Sequence, residues 1–208
     1  MEVNILPIEK TAVTKEQLLF LIKEAFRERK DVGLNYRCLT LSMDGFLKEI
    51  RDSEILVAID GDTGTICGCT ILLLRQDKDG SRFGREKHTS VHPDYKEKGI
   101  GSMLITALRE KAVENQCEYI VCSTAVEAVS AVKVHLKNGY HIVGLKSYKM
   151  TNYYSYLFRM QLTPSLWSDA AYCRRQYIKS ARRVRIAYKP DGSKTIAGRI
   201  LSKFGINW

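Results

Sequence analysis

One stretch of the sequence, residues 91–104, constrains the fold of this chain more than any other. It reads Val-His-Pro-Asp-Tyr-Lys-Glu-Lys-Gly-Ile-Gly-Ser-Met-Leu, so an apolar strand end passes through a charged loop and a Gly-x-Gly pair into a helical pattern. A junction of this kind directs several backbone N–H groups at one point, at the positive end of a helix dipole. It predicts an anion site that suits a diphosphate.

The two glycines of this stretch permit that close approach. A Cβ at Gly99 or Gly101 would hold a phosphate oxygen away from the backbone amides. The stretch lacks both the Gly-Lys-Ser/Thr ending of a P-loop and the third glycine of a dinucleotide fingerprint. The alternative interpretation is an ordinary strand–turn–helix connection that binds nothing.

The pattern Val-x-Pro-x-Tyr-(basic)-x-x-Gly-x-Gly-Ser-x-Leu closely resembles the acyl-CoA loop of the GNAT superfamily of N-acyltransferases, and the resemblance covers roughly residues 1–162. It implies that the loop amides and the helix N-terminus hold the pyrophosphate of acetyl-CoA, which serves as a co-substrate without a metal. Lys96 stands where the family has Arg or Gln, a cation without the planar fork of arginine. The resemblance implies a coenzyme site formed by Val91, Lys96, Glu97, Lys98, Gly99, Ile100, Gly101 and Ser102.

Hydrophobic periodicity and turn signals predict the element order β-α-α-β-β-β-α-β-α-β-β. The predicted strands span residues 2–8, 55–59, 65–75, 85–92, 118–124, 140–145 and 153–162. A capping box from Thr14 to Gln17 begins the first helix. We predict an α/β (α+β) fold with a mixed, largely antiparallel sheet flanked by helices. The resemblance implies in addition that strands four and five splay apart at the coenzyme loop.

The positive charge of the chain is concentrated near its C-terminus. Of the formal net charge of +10, residues 164–208 contribute +8, from ten Lys and Arg against two Asp. We therefore predict a GNAT-like domain at residues 1–163 and a basic, helical extension at residues 164–208, with a helix that begins at Ser165 and a short basic segment at residues 195–204. The extension is expected to pack on the domain or on a second subunit of a homodimer. An anionic membrane surface is an alternative partner, and nucleic acid ranks last because few aromatic residues lie among the cations.

The remaining composition indicates a cytoplasmic protein. No apolar run is long enough to span a membrane, and the N-terminus lacks the basic and apolar regions of a signal peptide. Six cysteines are scattered along the chain, and the one close pair, Cys67 and Cys69, does not have zinc-ligand spacing. We expect reduced thiols and no metal site.

Transfer of an acyl group from a thioester to an amine needs a base more than an acid. Deprotonating an alkylammonium with a pKa of about 10.4 costs roughly 4–5 kcal/mol at pH 7, whereas stabilising the departing thiolate requires only about 2 kcal/mol. Glu86 and His88 lie two residues apart on the strand before the loop and are expected to face the same side. The resemblance implies a glutamate base near Glu86. The residues before it, Phe83 and Gly84, are prone to form a bulge, so the sequence leaves the register of Glu86 open. The alternative interpretations are that Glu86 is a solvated glutamate at the sheet edge and that His88 is a histidine with a structural hydrogen bond.

The candidate acid is His135. Many members of the superfamily carry Asn-x-x-Ala-x-x-Phe-Tyr-x-x-x-Gly-Phe, with the tyrosine close to the thioester sulfur. Here Ala128 stands at the asparagine position and His135 at the tyrosine position. The alternative is that His135 is a helix residue without a chemical role.

The resemblance places the acceptor between the first helices and the last strands, where Tyr36, Arg37 and Tyr154 are the candidate binding residues. The predicted function is an acetyl-CoA-dependent N-acetyltransferase in which the amine attacks directly within a ternary complex. The alternative is a catalytically weakened acyl-CoA-binding or tail-mediated interaction module. The sequence does not identify the acceptor.

Overall fold

The computed structural model describes residues 2–203, and the chain divides into two compact units. The first unit comprises the chain up to Val32 together with Tyr36–Val121. The second comprises Gly33–Asn35 together with the chain from Cys122 onward. This division follows the contacts of the backbone and runs through the fifth strand.

The elements follow the predicted order. The first unit contains β1 (Val3–Pro7), α1 (Lys15–Asp31), α2 (Met43–Glu49), β2 (Ser53–Asp60), β3 (Ile66–Gln76), β4 (Arg82–Val91) and α3 (Ile100–Glu114). Strand β5 (Tyr119–Ala125) begins in the first unit and ends in the second. The second unit continues with α4 (Val129–Lys137), β6 (His141–Ser147), β7 (Tyr154–Gln161), α5 (Ala170–Ala187) and α6 (Ile196–Lys203). Short 3₁₀ turns lie at Ile8–Lys10, Arg37–Thr40, Pro93–Tyr95 and Leu166–Ser168.

The strands form a seven-stranded sheet in the order β1-β2-β3-β4-β5-β7-β6. The β1–β2, β2–β3, β3–β4 and β6–β7 pairs are antiparallel, and the β4–β5 pair is parallel. The parallel ladder joins only residues 83–85 to residues 119–121, so it ends while β4 still continues toward the loop. The predicted mixed, largely antiparallel fold is therefore confirmed, including the short pairing of strands four and five.

The start of α3 is fixed on the sheet by a small apolar cluster. Ala58 of β2 and Cys67 of β3 are buried against Ile100 and Leu104 of α3. Gly68 permits this approach, because an added Cβ would lie 3.1 Å from side-chain atoms of both Ile100 and Leu104. Close packing of small strand residues thus places the N-terminus of α3 at the end of β4.

The predicted bulge in β4 lies elsewhere than the sequence indicates. Ile71 pairs with Lys87 and Cys69 pairs with Ser90, so one residue of β3 faces both His88 and Thr89. His88 has a φ of 52°, in the left-handed region that an extra residue in a strand requires. Near the predicted position the ladder is regular. Gly84 serves close packing there, because an added Cβ would lie 2.5 Å from the Leu72 side chain.

In the second unit, the C-terminal extension packs against β6. The Ser180 hydroxyl of α5 accepts a hydrogen bond from the Leu145 amide (3.0 Å) and donates one to the Leu145 carbonyl (3.1 Å). Gly144 leaves room for this contact, since an added Cβ would lie 3.1 Å from the Ser180 oxygen. At the end of α5, the Tyr154 hydroxyl donates to the Tyr188 carbonyl (2.9 Å).

The main helix of the extension begins later than predicted, at Ala170 rather than at Ser165. Both Ser165 and Asp169 are capping residues. Ser165 accepts from the Trp167 amide and begins only a 3₁₀ turn, whereas Asp169 accepts from the Tyr172 amide and begins α5. The predicted last segment, residues 195–204, corresponds to α6, and Phe204 lies outside the described residues. Among the helices of residues 2–203, none has the length and apolar character needed to cross a bilayer.

Candidate active site

The amides of residues 97–101 donate no hydrogen bond within the described part of the chain. The turn before them is closed by bonds from Tyr95 to His92 (2.9 Å) and from Lys96 to Pro93 (3.3 Å). Helix α3 makes its first backbone bond after them, from Ser102 to Gly99 (3.0 Å). Five consecutive N–H groups at a helix N-terminus are the type of arrangement that can hold an anion.

The backbone conformation turns these amides toward one side. Gly99 is the N-cap of α3, with a φ of 80° and no capping side chain, and Glu97 has a φ of 63°. Left-handed residues separated in this way make the concave arrangement of N–H groups found around bound anions. A left-handed conformation costs a non-glycine residue about 1–2 kcal/mol, and such residues cluster at ligand clamps. Apart from Gly99 itself and its two chain neighbours, no atom of residues 2–203 lies within 4 Å of a Cβ built on Gly99, so the space beside it is open.

The cations of the loop have defined neighbours. The Lys96 ammonium forms an ion pair with Glu28 of α1. The Lys98 ammonium lies 4.7 Å from the centre of the Tyr95 ring, whose hydroxyl donates to Asp60 (3.1 Å). Two cations beside a row of amides fit a pyrophosphate. All eight predicted coenzyme residues lie on one segment, from the end of β4 to the first turn of α3, and their contact with a coenzyme stays a prediction.

Glu86, the candidate base, is buried on β4. It accepts a hydrogen bond from the Thr89 hydroxyl, which also bonds to the Thr70 hydroxyl (2.7 Å). His88 does not share these partners, because its Nε2 lies 3.2 Å from the Glu49 carboxylate. The expectation that the Glu86 and His88 side chains face the same side of the strand is not met, because the bulge at His88 breaks the alternation of side chains along β4.

Glu49, which the sequence analysis missed, organises the other side of this bulge. Its side chain is only 12% exposed, and one carboxylate oxygen bonds to both Lys87 and His88. The other oxygen lies 3.4 Å from a guanidinium nitrogen of Arg37. The hydrogen bond with His88, followed by the one with Lys87, lowers the pKa of the Glu49 carboxyl to about 2 despite the cost of burial. No sequence signal marks Glu49, because its partners on β4 are far away along the chain.

The three candidate acceptor residues have different surroundings. Tyr36 is buried, with its ring centre 5.1 Å from that of Phe26. Arg37 is 65% exposed apart from its contact with Glu49, so it is accessible to an anionic group. Tyr154 belongs to the second unit, where its hydroxyl already binds the Tyr188 carbonyl. Their contact with an acceptor stays a prediction.

His135, the candidate acid, is buried in the second unit. Its ring packs on Tyr140 and Phe158, with centres 5.1 and 5.2 Å away. Its Nδ1 lies 2.7 Å from the Ala131 carbonyl. Because a carbonyl oxygen only accepts, Nδ1 must carry a proton. The neutral ring therefore accepts at Nε2 and donates there only when charged.

Comparison with known proteins identifies a family and a shared fold. The acetyltransferase (GNAT) family model matches residues 17–140. No protein with a curated function matches the sequence significantly.

Several solved structures share the fold. A NatC complex bound to Gag peptide and CoA has a TM-score of 0.58 and 20% identity, over 78% of this chain and 100% of that chain. A GNAT-family acetyltransferase from Streptococcus pneumoniae has a TM-score of 0.57 and 17% identity, over 77% of this chain and 100% of that chain. A GNAT-family acetyltransferase from Elizabethkingia anophelis with acetyl-CoA bound has a TM-score of 0.55 and 18% identity, over 77% and 98%.

Proposed function

We propose, because the chain belongs to the acetyltransferase (GNAT) family, that it transfers the acetyl group of acetyl-CoA to an amine. The observation that supports this most strongly is the row of unpaired amides at residues 97–101. Uncharged N–H donors at a helix N-terminus suit a pyrophosphate. Two similar structures, the NatC complex and the Elizabethkingia anophelis acetyltransferase, contain CoA or acetyl-CoA.

The amine attacks the thioester directly, without an acetylated cysteine. Cys67 and Cys69 of β3 are both buried. Burial raises the pKa of the Cys69 thiol to about 12, and it also raises the pKa of Cys67. A protonated, buried thiol is a poor nucleophile. The two cysteines of β3 thus do not compete with the amine, and in the proposed reaction the C–N bond forms and the acetyl C–S bond breaks within one ternary complex.

Glu86 is the base of this reaction. The amine must lose a proton at a cost of roughly 4–5 kcal/mol at pH 7, so a carboxylate near the acceptor removes the largest barrier. The Thr89 hydroxyl donates a hydrogen bond to Glu86 and holds its carboxyl group in place. Glu86 receives the proton directly or through a water molecule. His135 returns a proton to the leaving thiolate from Nε2, which requires its charged form.

Turnover of acetyl-CoA with a panel of amines tests the proposal. The panel contains small amines, amino sugars, lysine-containing peptides and peptides with free N-termini; peptides are included because the NatC complex holds one. We expect thioester cleavage that depends on one class of amine. Binding of acetyl-CoA without turnover of any amine would favour the alternative, an acyl-CoA-binding module.

The Glu86→Gln variant tests the base separately. We expect kcat to fall by about 10²–10⁴-fold with little change in acetyl-CoA affinity. Glu110→Gln, on the exposed surface of α3, is the matched control and should behave as wild type. Wild-type turnover by Glu86→Gln at both neutral and high pH would show that Glu86 is not the base.

A further inference from the structure

The outward face of α5 is strongly basic and contains no acid. The helix packs its other face on β6, where Ser180 bonds to Leu145, and Cys173 and Ala181 are buried. Two large apolar side chains remain on the open face, Ile178 at 54% and Ile186 at 47% exposure. The exposed cations of the helix are Arg174, Arg175, Lys179, Arg182, Arg183 and Arg185. No aspartate or glutamate occurs in Ala170–Ala187 to offset them.

The isoleucines form a stripe between the cations. Ile178, Arg182 and Ile186 follow one another at intervals of four residues, which places them on one side of the helix. They line a shallow cavity of about 250 Å³ together with Lys179 and Arg183. The open face thus offers apolar surface at its centre and positive charge along its length.

Helix α6 repeats the pattern. Ile196 is 75% exposed and Ile200 is 52% exposed, and the exposed cations Arg199 and Lys203 lie three residues after them. Gly198 holds α6 against α5, since an added Cβ would lie 2.0 Å from the Ala187 carbonyl oxygen. The two helices are therefore packed together, and each carries exposed isoleucines and exposed cations.

We propose that the open faces of α5 and α6 dock on an anionic lipid surface. Long cationic side chains reach the lipid phosphates while isoleucines enter the boundary between headgroups and acyl chains. A nucleic acid would use the cations and stacking aromatic rings, but no aromatic side chain of α5 or α6 is exposed. A second copy of this face would be repelled by its like charge. The proposal is independent of the acetyl-transfer proposal, which rests on the amides of residues 97–101, Glu86 and His135 and on no residue of α5 or α6.

Vesicle sedimentation with the full chain tests the docking surface. We expect binding to vesicles of equal parts phosphatidylcholine and phosphatidylserine, and none to phosphatidylcholine alone. Binding should weaken as salt is raised, because the attraction is screened. Equal binding to both vesicles, or to neither, would overturn the proposal.

Two variants separate charge from apolar insertion. Arg175→Glu with Arg182→Glu should reduce vesicle affinity by about a hundredfold or more, since each reversal replaces attraction by repulsion. Ile178→Ser with Ile186→Ser should reduce it by about tenfold through lost apolar burial. The control for the charge reversals is Lys10→Glu with Lys78→Glu. The control for the isoleucine changes is Val32→Ser with Val113→Ser. All four residues are exposed and belong to the first unit. The controls should bind vesicles as wild type does.

Other occupants of the surface give distinct results. The surface would be a general polyanion site if two results occurred together: the isoleucine variant binds vesicles as tightly as wild type, and the protein binds a nucleic acid duplex as tightly as vesicles. This outcome would overturn the proposal. Light scattering tests for a dimer. If the chain forms a dimer that the Ile178→Ser with Ile186→Ser variant dissociates, a second copy covers the face and the lipid proposal is overturned. Thermal unfolding of each variant verifies that the comparison concerns folded protein.

Discussion

The coenzyme loop and the C-terminal extension use their backbone hydrogen bonds in opposite ways. In the loop, the amides of residues 97–101 have no partner in the described chain. In the extension, the turn between α5 and α6 is closed by bonds from Tyr188 to Val184, from Lys189 to Ser193 and from Thr195 to Ala187. The loop thus presents backbone groups to a ligand, whereas the extension satisfies its backbone and presents side-chain charge. The fixed amides of the loop select an anion by its shape, whereas the exposed cations of the extension attract anions through their electrostatic field.

This contrast separates the effects of substitutions. Changes at unpaired groups should alter ligand affinity and leave stability nearly constant. Changes at paired groups should lower the free energy of unfolding and leave coenzyme affinity nearly constant.

The largest effect is expected from Gly101→Asp in the loop. The substitution places a carboxylate among the amides meant for the pyrophosphate, so acetyl-CoA affinity should fall by a hundredfold or more, about 3 kcal/mol. Calorimetric titration measures it. Gly64→Asp is the control for an added carboxylate outside the loop. Gly64 lies in an exposed turn with a φ of 70°, so the change should cost some stability through backbone strain but no acetyl-CoA affinity. Unchanged acetyl-CoA affinity in folded Gly101→Asp would refute the loop assignment.

A smaller effect, on stability, is expected from Glu49→Gln. The folded pKa of about 2 is below the ordinary 4.5, so the charged carboxylate stabilises the fold above pH 4.5, and this contribution is lost as the pH falls toward 2. Glu49→Gln should lower the unfolding free energy at pH 7 by about 2 kcal/mol, less than the full pKa shift implies because solvent screens the pair.

Urea unfolding of wild type and Glu49→Gln across this pH range measures the difference. It should shrink progressively between pH 4.5 and pH 2. Glu114→Gln, at an exposed ion pair on α3, is the control and should change stability by less than about 0.5 kcal/mol. A difference that stays constant with pH would show that the ion pairs of Glu49 are not its source.

The smallest effect is expected from Ser180→Ala in the extension. The change removes the hydroxyl that bonds to both backbone groups of Leu145, so the unfolding free energy should fall by about 1–2 kcal/mol. Acetyl-CoA affinity should not change. Ser81→Ala in the β3–β4 loop is the control. A loss of coenzyme affinity in Ser180→Ala would contradict the separation between loop and extension.

Local signals in the sequence predicted most of the fold. The capping box at Thr14 and Gln17 forms as predicted, with bonds of 2.9 and 3.2 Å. The Gly-x-Gly pair begins α3 with Gly99 as its left-handed cap. These features depend on neighbouring residues alone, which is why periodicity and capping chemistry identify them.

The errors concern contacts between distant residues. The bulge at His88 depends on the register between β3 and β4, and the ion pairs of Glu49 join α2 to β4. The hydrogen bond from the Tyr154 hydroxyl to the Tyr188 carbonyl likewise joins residues that lie 34 positions apart along the chain, and contact of Tyr154 with an acceptor stays a prediction. The start of α5 was wrong for another reason, since Ser165 and Asp169 are both suitable caps and local sequence does not rank them.

Calorimetric titration with acetyl-CoA, with free CoA and ATP as controls, tests the central claim most directly. The unpaired amides of residues 97–101 predict one binding site per chain that accepts acetyl-CoA and free CoA, with ATP bound far more weakly or not at all. Absence of acetyl-CoA binding, or equal binding of ATP, would contradict the assignment of this loop as a coenzyme site.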